Sequence, residues 1–240
     1  MKTTLNTPEM KRRILMTIAG VLIMGMSVGL FSLSALGMDP FQIFAHGIWR
    51  IINTAAGHPV LSEAESAGTL SFGSCYTVLS IIMLIVVLII NRRKIGLGTV
   101  INIFFVGYVA DFSESLFGRL IPERTFAVRL VILLVALVIL CMASSLYFTA
   151  DLGVSVYDAM SLTVSERTPI PFQYCRIASD LICVVIGGIL CYLSDHNLTT
   201  SGALLTTAGI GTIITAFFMG PFIAFFNKKF AEPIRYGRKK

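Results

Sequence analysis

The chain has 240 residues, 55% of them hydrophobic and only 13% charged, about half the ~25% charged content of a soluble domain. With a mean hydropathy of +0.83, this excludes a disordered chain and argues against a soluble globular enzyme. The formal net charge of +6 is gathered in short basic flanks beside apolar runs. That placement argues against nucleic acid as the partner and for the lipid bilayer.

Four runs carry no charge at all: Ile14–Met38, Ser66–Asn91, Leu130–Ala150 and Asn197–Asn227, of 25, 26, 21 and 31 residues. A helix crosses a ~30 Å hydrocarbon core with about 20 apolar residues. Six spans are expected, approximately Ile14–Leu36, Gly68–Ile90, Leu97–Leu116, Val128–Leu146, Phe172–Leu193 and Thr206–Phe226. The third and fifth carry internal charges. The first run is far longer than the 7–15 residues of a signal-peptide core and is expected to stay as a helix. With the N-terminus inside, 15 of the 19 Lys and Arg fall in cytoplasmic flanks and loops, among them Lys11–Arg13, Arg92–Lys94 and Arg167. Arg50, Arg119, Arg124 and Arg129 remain outside. Both termini are therefore expected in the cytoplasm, with His58 outside and Trp49 at the outer interface.

The two halves of the chain are alike. Gly96-Leu-Gly-Thr-Val-Ile-Asn-Ile-Phe-Phe-Val-Gly107 aligns with Gly209-Ile-Gly-Thr-Ile-Ile-Thr-Ala-Phe-Phe-Met-Gly220 at an offset of 113, with seven of 12 positions identical. A weaker match pairs Ala35–Ile43 with Asp151–Ala159 at an offset of 116. Each copy of the weaker match reads as a helix start after a Leu-Gly that can end the preceding span. Asp39 is the N-cap of the first, with Pro40 at N1. Ser155 caps the second, with Asp158 at N3 as a capping box. Each half is then span, short capped helix, span, span, within a single membrane domain spanning 1–240. The first repeat covers 14–120 and the second 126–228. Three crossings per half require the halves to be inverted relative to one another, an architecture common among transporters. The short helices, about Pro40–Ile51 and Val156–Ser165, fit either of two readings. They are re-entrant elements lining a site, or amphipathic helices lying in the interface.

Ionisable groups within spans are functional candidates by default. Asp111 and Glu114 share one face of the third span, Arg176 and Asp180 one face of the fifth, and Arg129 lies at the mouth of the fourth. A purely structural role makes Arg176–Asp180 an ion pair within one helix. A functional role makes Asp111 and Asp180 proton- or cation-sensing carboxylates, with Arg176 free to hold an anionic group or to snorkel toward the cytoplasm. Asn102 is expected to touch a neighbouring helix. Gly25-x-x-x-Gly29, Gly187-Gly188 and the Gly-x-Gly-Thr motifs suit close helix approach, and the last also suit a broken helix at a binding site. The five cysteines lie in apolar stretches without metal spacing, and His58 and His196 lie in loops, so no metal or cofactor is expected.

Leu36-Gly-Met-Asp-Pro40, Ser71-Phe-Gly73 and Gly96-Leu-Gly-Thr99 with Asn102, Gly107 and Asp111 form one ordered series. Leu152-Gly153, Asp158, Arg176 with Asp180, Gly209-Ile-Gly-Thr212 and Gly220-Pro221 form another. Over nearly the whole chain this order and spacing resembles the YczE/YitT type of bacterial integral membrane protein, most closely its YczE-like branch. The resemblance implies an all-α polytopic fold in a bacterial cytoplasmic membrane, and it names no substrate. The expected function is a small-solute transporter or permease-like protein, with the proton as the candidate coupling ion and Asp39, Asp111, Asp158, Arg176 and Asp180 as binding candidates. The rival is a non-transporting accessory, chaperone or partner-binding subunit, and a homo-oligomer is compatible with either. No H-E-x-x-H and no paired Ser and His support an intramembrane enzyme.

Overall fold

The structure is a computed structural model describing residues 8–37, 39–56, 72–123, 125–194 and 209–236. These form α1 (Pro8–Ser34), α2 (Pro40–Ala55), α3 (Phe72–Asn91) with a 3-10 turn at Arg92–Lys94, and α4 (Leu97–Leu120). They continue with α5 (Phe126–Ala150), α6 (Val156–Arg167), α7 (Phe172–Ser194) and α8 (Ile210–Phe226). A π-turn at Asn227–Ala231 carries α8 into α9 (Glu232–Tyr236). Six helices are long and apolar enough to cross a membrane. His58, His196, Arg124 and Ser71 lie outside the described residues. The helices overrun the expected spans: α1 starts at Pro8 and α5 ends at Ala150. Lys, Arg and Glu are good helix formers, so a span continues into its polar flank until something stops it.

What stops α1 and α5 is a matched pair of left-handed residues, Ala35 at φ 47° and Asp151 at φ 55°. Gly37 (φ 138°) and Gly153 (φ 108°) follow two residues later. The helices thus end before the Leu-Gly pair, whose glycine serves the turn beyond. The expected caps form there. Asp39 accepts from the Phe41 amide at 2.9 Å, and the Ser155 hydroxyl accepts from the Asp158 amide at 3.2 Å.

Packing links the halves crosswise. α1 lies between α4 and α5, and α5 in turn packs on α8. Both short helices, α2 and α6, pack on both α3 and α7. Small residues permit these approaches. A Cβ at Gly25 would stand 2.7 Å from Val109, and one at Gly29 would stand 2.4 Å from the Ala110 carbonyl. The Ser27 hydroxyl reaches the Ala136 carbonyl at 2.5 Å, tying α1 to α5. Asn102 donates to the Met24 sulfur on α1. Gly187 sits directly on Ile43 and Phe44 of α2, while Gly188 faces open space. α2 is buried at Ile43, Ala45 and Trp49, so it is enclosed by the bundle rather than laid on its surface. Trp49 packs in a buried cluster with Cys75 of α3. The outer faces of α3, α4 and α7 expose Ile81, Ile85, Phe104, Tyr108, Ile182 and Ile189, as suits helices surrounded by lipid rather than water.

The Gly-x-Gly-Thr motifs are the starts of α4 and α8, and each is docked by the Leu-Gly turn of the other half. The Gly98 amide donates to the Leu152 carbonyl at 2.7 Å, and the Gly211 amide to the Leu36 carbonyl at 2.8 Å. A Cβ at Gly37 would stand 2.7 Å from the Thr212 hydroxyl, and one at Gly153 would stand 2.6 Å from the Gly96 amide nitrogen. Gly37→Ala and Gly153→Ala should therefore each lower stability by about 1–3 kcal/mol, through positive φ and clash together. Gly118→Ala is the control, since its Cβ meets only Leu33 Cδ1 at 3.6 Å. Thermal unfolding in detergent should rank Gly118→Ala at or above the parent and both turn variants below it.

Candidate functional site

α6 turns in against α7, and this contact assembles the charged centre. Arg176 is only 2% exposed and Asp180 is fully buried. The Arg176 Nε donates to Asp180 Oδ2 at 3.1 Å, one turn along α7. Its Nη1 pairs with Asp158 Oδ1 on α6, and its Nη2 meets the Met219 sulfur at 3.5 Å. The Tyr157 ring covers the guanidinium face, 4.5 Å from Cζ to the ring centroid. The Tyr157 hydroxyl donates to Asp180 Oδ1 at 2.6 Å. Asp158 Oδ2 accepts from the Ser155 hydroxyl at 2.5 Å. Every nitrogen of Arg176 is thus engaged, and both carboxylates are satisfied, as burial of such a group demands. Arg176 does not snorkel, because α6 supplies a second carboxylate on the inner side. The helical Arg176–Asp180 pair foreseen in the sequence is one edge of a trio that includes Asp158, whose carboxylate accepts the Ser155 hydroxyl rather than the Ser155 amide that a full capping box would use.

The trio borders a cavity of about 590 Å³ between the halves. Asp39 and Ser155, the N-caps of α2 and α6, both line it, so the two short helices point their N-termini at one space. Phe41 stacks on Tyr157 with centroids 5.3 Å apart and planes at 29°, and meets Tyr76 edge-on at 5.3 Å. Apolar walls come from Met24, Val28, Val106, Leu140 and Met219. Ser32 and Ala35 line the cavity and are exposed, which marks its mouth. The opposite end of the bundle is tied by charges. Arg13 reaches the Asp151 carboxylate at 3.2 Å, Arg235 reaches it at 3.6 Å, and Lys94 pairs with Glu166.

Of the five candidates, Asp39, Asp158, Arg176 and Asp180 therefore gather at the cavity and its ionic border. Asp111 does not join them. It is exposed on α4 and lines a shallow depression with Glu114 and Arg119. The aromatic wall of Phe41, Tyr76 and Tyr157 and the hydroxyl of Ser144 were not among the sequence candidates. The repeat carried a signal for the stacked pair, since Phe41 and Tyr157 are 116 residues apart.

Helices of this length and polarity, closed around a buried ionic trio, define a multi-pass membrane protein. The model of a family of unknown function, DUF6198, matches residues 11–228, and the chain belongs to that family. It is also similar to an uncharacterized protein of Haemophilus influenzae, 22% identical over 195 residues, which covers 81% of this chain and 78% of that protein. No solved structure matches the chain.

Removing Arg176 alone leaves two buried carboxylates facing each other, so Arg176→Met should destabilise by about 3–5 kcal/mol. Replacing Arg176 and Asp180 together still strands Asp158. The triple change Asp158→Asn, Arg176→Met, Asp180→Leu should recover most of the loss, since an apolar substitute for a buried ionic group is often neutral. Unfolding midpoints in detergent of the single, double and triple variants check this order.

Proposed function

We propose that the chain is a small-solute transporter or permease-like protein built from two inverted three-span repeats, with the central cavity as its solute site. One observation carries the reading. Positions equivalent in the repeats line that one cavity in pairs: Asp39 with Ser155, Phe41 with Tyr157, Met24 with Leu140 and Val106 with Met219. Binding between inverted halves is the usual geometry of secondary transporters, and half-helix N-termini commonly point at the bound group there. The crossed docking of the Leu-Gly turns on the Gly-x-Gly-Thr helix starts supports the same duplication. We further propose kinship with the YczE-like branch, on the order of its glycine motifs, and residence in the bacterial cytoplasmic membrane. The site suits a carrier rather than an enzyme.

The orientation proposed from the basic flanks puts the Arg13–Asp151–Arg235 end in the cytoplasm and the cavity mouth outside. A cysteine at His58 should then react with a membrane-impermeant maleimide in intact cells, and one at Arg92 only after permeabilisation. Reversed labelling would invert the assignment. For function, purified protein in liposomes should move a cavity-binding solute identified by thermal-shift screening, because a ligand held only by the folded state raises the unfolding midpoint. Flux at the protein-free rate, with binding retained, would make the chain a partner-binding subunit instead.

A further inference from the structure

We infer that the cavity takes an organic cation, an ammonium group carried on an apolar body, and that Asp39 is its counter-ion. This inference rests on reading the cavity as the solute site. The first argument is which charges are already spent. The charge of Arg176 is already matched twice, by Asp180 at Nε and Asp158 at Nη1, while Nη2 meets the Met219 sulfur and Tyr157 covers its face. An incoming anion would bring a third negative charge beside those two carboxylates, and like charges in a buried space repel. Asp39 is placed differently. Its carboxylate lines the cavity and accepts the Phe41 amide, and no side-chain cation among the described residues lies within ion-pair distance of it.

The second argument is the charge balance. Three carboxylates, Asp39, Asp158 and Asp180, face one guanidinium. Each helix N-terminus contributes about half a positive charge, so α2 and α6 together offset about one of the two surplus negative charges. With all three carboxylates ionised, about one negative charge is left around a cavity with mostly apolar walls, and a single bound ammonium group neutralises it.

The third argument is the lining chemistry. Aromatic faces attract cations in a desolvated space, and Phe41, Tyr76 and Tyr157 group on one side of the cavity. Ser144 is 1% exposed and lines the cavity, and its hydroxyl makes no hydrogen bond to any described residue. A hydroxyl that lines the cavity with its lone pairs unused is an acceptor for an ammonium N–H. The repeat equivalent of Ser144 is Val28, so the acceptor has no matching counterpart in the first half.

The test uses three probes of one shape and different charge: 2-phenylethylammonium, 2-phenylethanol and 3-phenylpropionate. Binding to the full-length protein in detergent is measured by calorimetry and by thermal shift. The ammonium probe should bind at least tenfold more tightly than the alcohol, and the carboxylate should not bind. Asp39→Asn keeps a good helix cap and should fold normally while weakening the ammonium probe tenfold or more. Asp39→Glu should restore part of the loss, and Ser144→Ala should weaken the same probe several-fold. Equal binding of ammonium and alcohol, tighter binding of the carboxylate, or unchanged ammonium affinity in a folded Asp39→Asn would each overturn the inference. These are binding measurements, so a protein that passes them and yet moves nothing across a liposome defeats the transporter reading alone.

Discussion

Helix ends inside an apolar bundle must find partners for their free amides and carbonyls, because neither lipid nor a dry core supplies them. Four helix ends meet this demand by trading across the halves of the chain. The turn after α1 gives the Leu36 carbonyl to the start of α8, and the turn after α5 gives the Leu152 carbonyl to the start of α4. The exchange continues at the second site, where the Thr99 hydroxyl donates to the Val154 carbonyl at 2.8 Å and the Val154 amide to the Lys94 carbonyl at 3.0 Å. Each half thus supplies a carbonyl to a helix start in the other. The glycines on both sides leave room for backbone to meet backbone, and the positions of α2 and α6 follow, since each begins directly after one of these turns.

With the short helices fixed, the rest of the centre follows from their first residues. Ser155 and Asp158 lie at the start of α6, so the carboxylate that holds the capping hydroxyl also reaches across to Arg176. The same turn carries Tyr157, whose ring covers that guanidinium and whose hydroxyl binds Asp180. One helical turn thus satisfies four polar groups. On the facing side, Phe41 occupies the equivalent place in α2 and contributes an aromatic face without a hydroxyl. The halves therefore present one shape with different polarity, and the ionic trio belongs to the second half alone.

Much of this was legible in the sequence. Charge-free runs near 20 residues give spans, and a Ser or Asp before a Pro or a short apolar stripe gives a cap. Helix boundaries were less legible, since the Ala35 and Asp151 left-handed ends carry no glycine of their own. The partner of Arg176 was half visible: the i to i+4 spacing gives Asp180, but Asp158 comes from another helix, and a tertiary contact leaves no local period. Asp111 illustrates the converse. Its depth in the sequence fits a membrane carboxylate, yet which way α4 turns depends on α1, where Gly25 and Gly29 draw the Val109 and Ala110 side of α4 inward and leave Asp111 on the open face.

The ties at Asp151 bear on the order in which such a chain is completed. Arg13 comes from the first helix and donates through its Nε to the Ala150 carbonyl at 2.7 Å. Arg235 comes from the last and reaches both Asp151 and the Thr149 carbonyl. Residues more than 220 positions apart in the chain thus close over one helix end, that of α5 in the middle. During synthesis Arg13 is available as soon as α5 is in place, whereas Arg235 emerges only after α8 has been threaded. The closing charge at that end is therefore added last. Until it arrives, the carbonyls ending α5 must share a single guanidinium or draw on water, which leaves that end of the nascent bundle the more hydrated one.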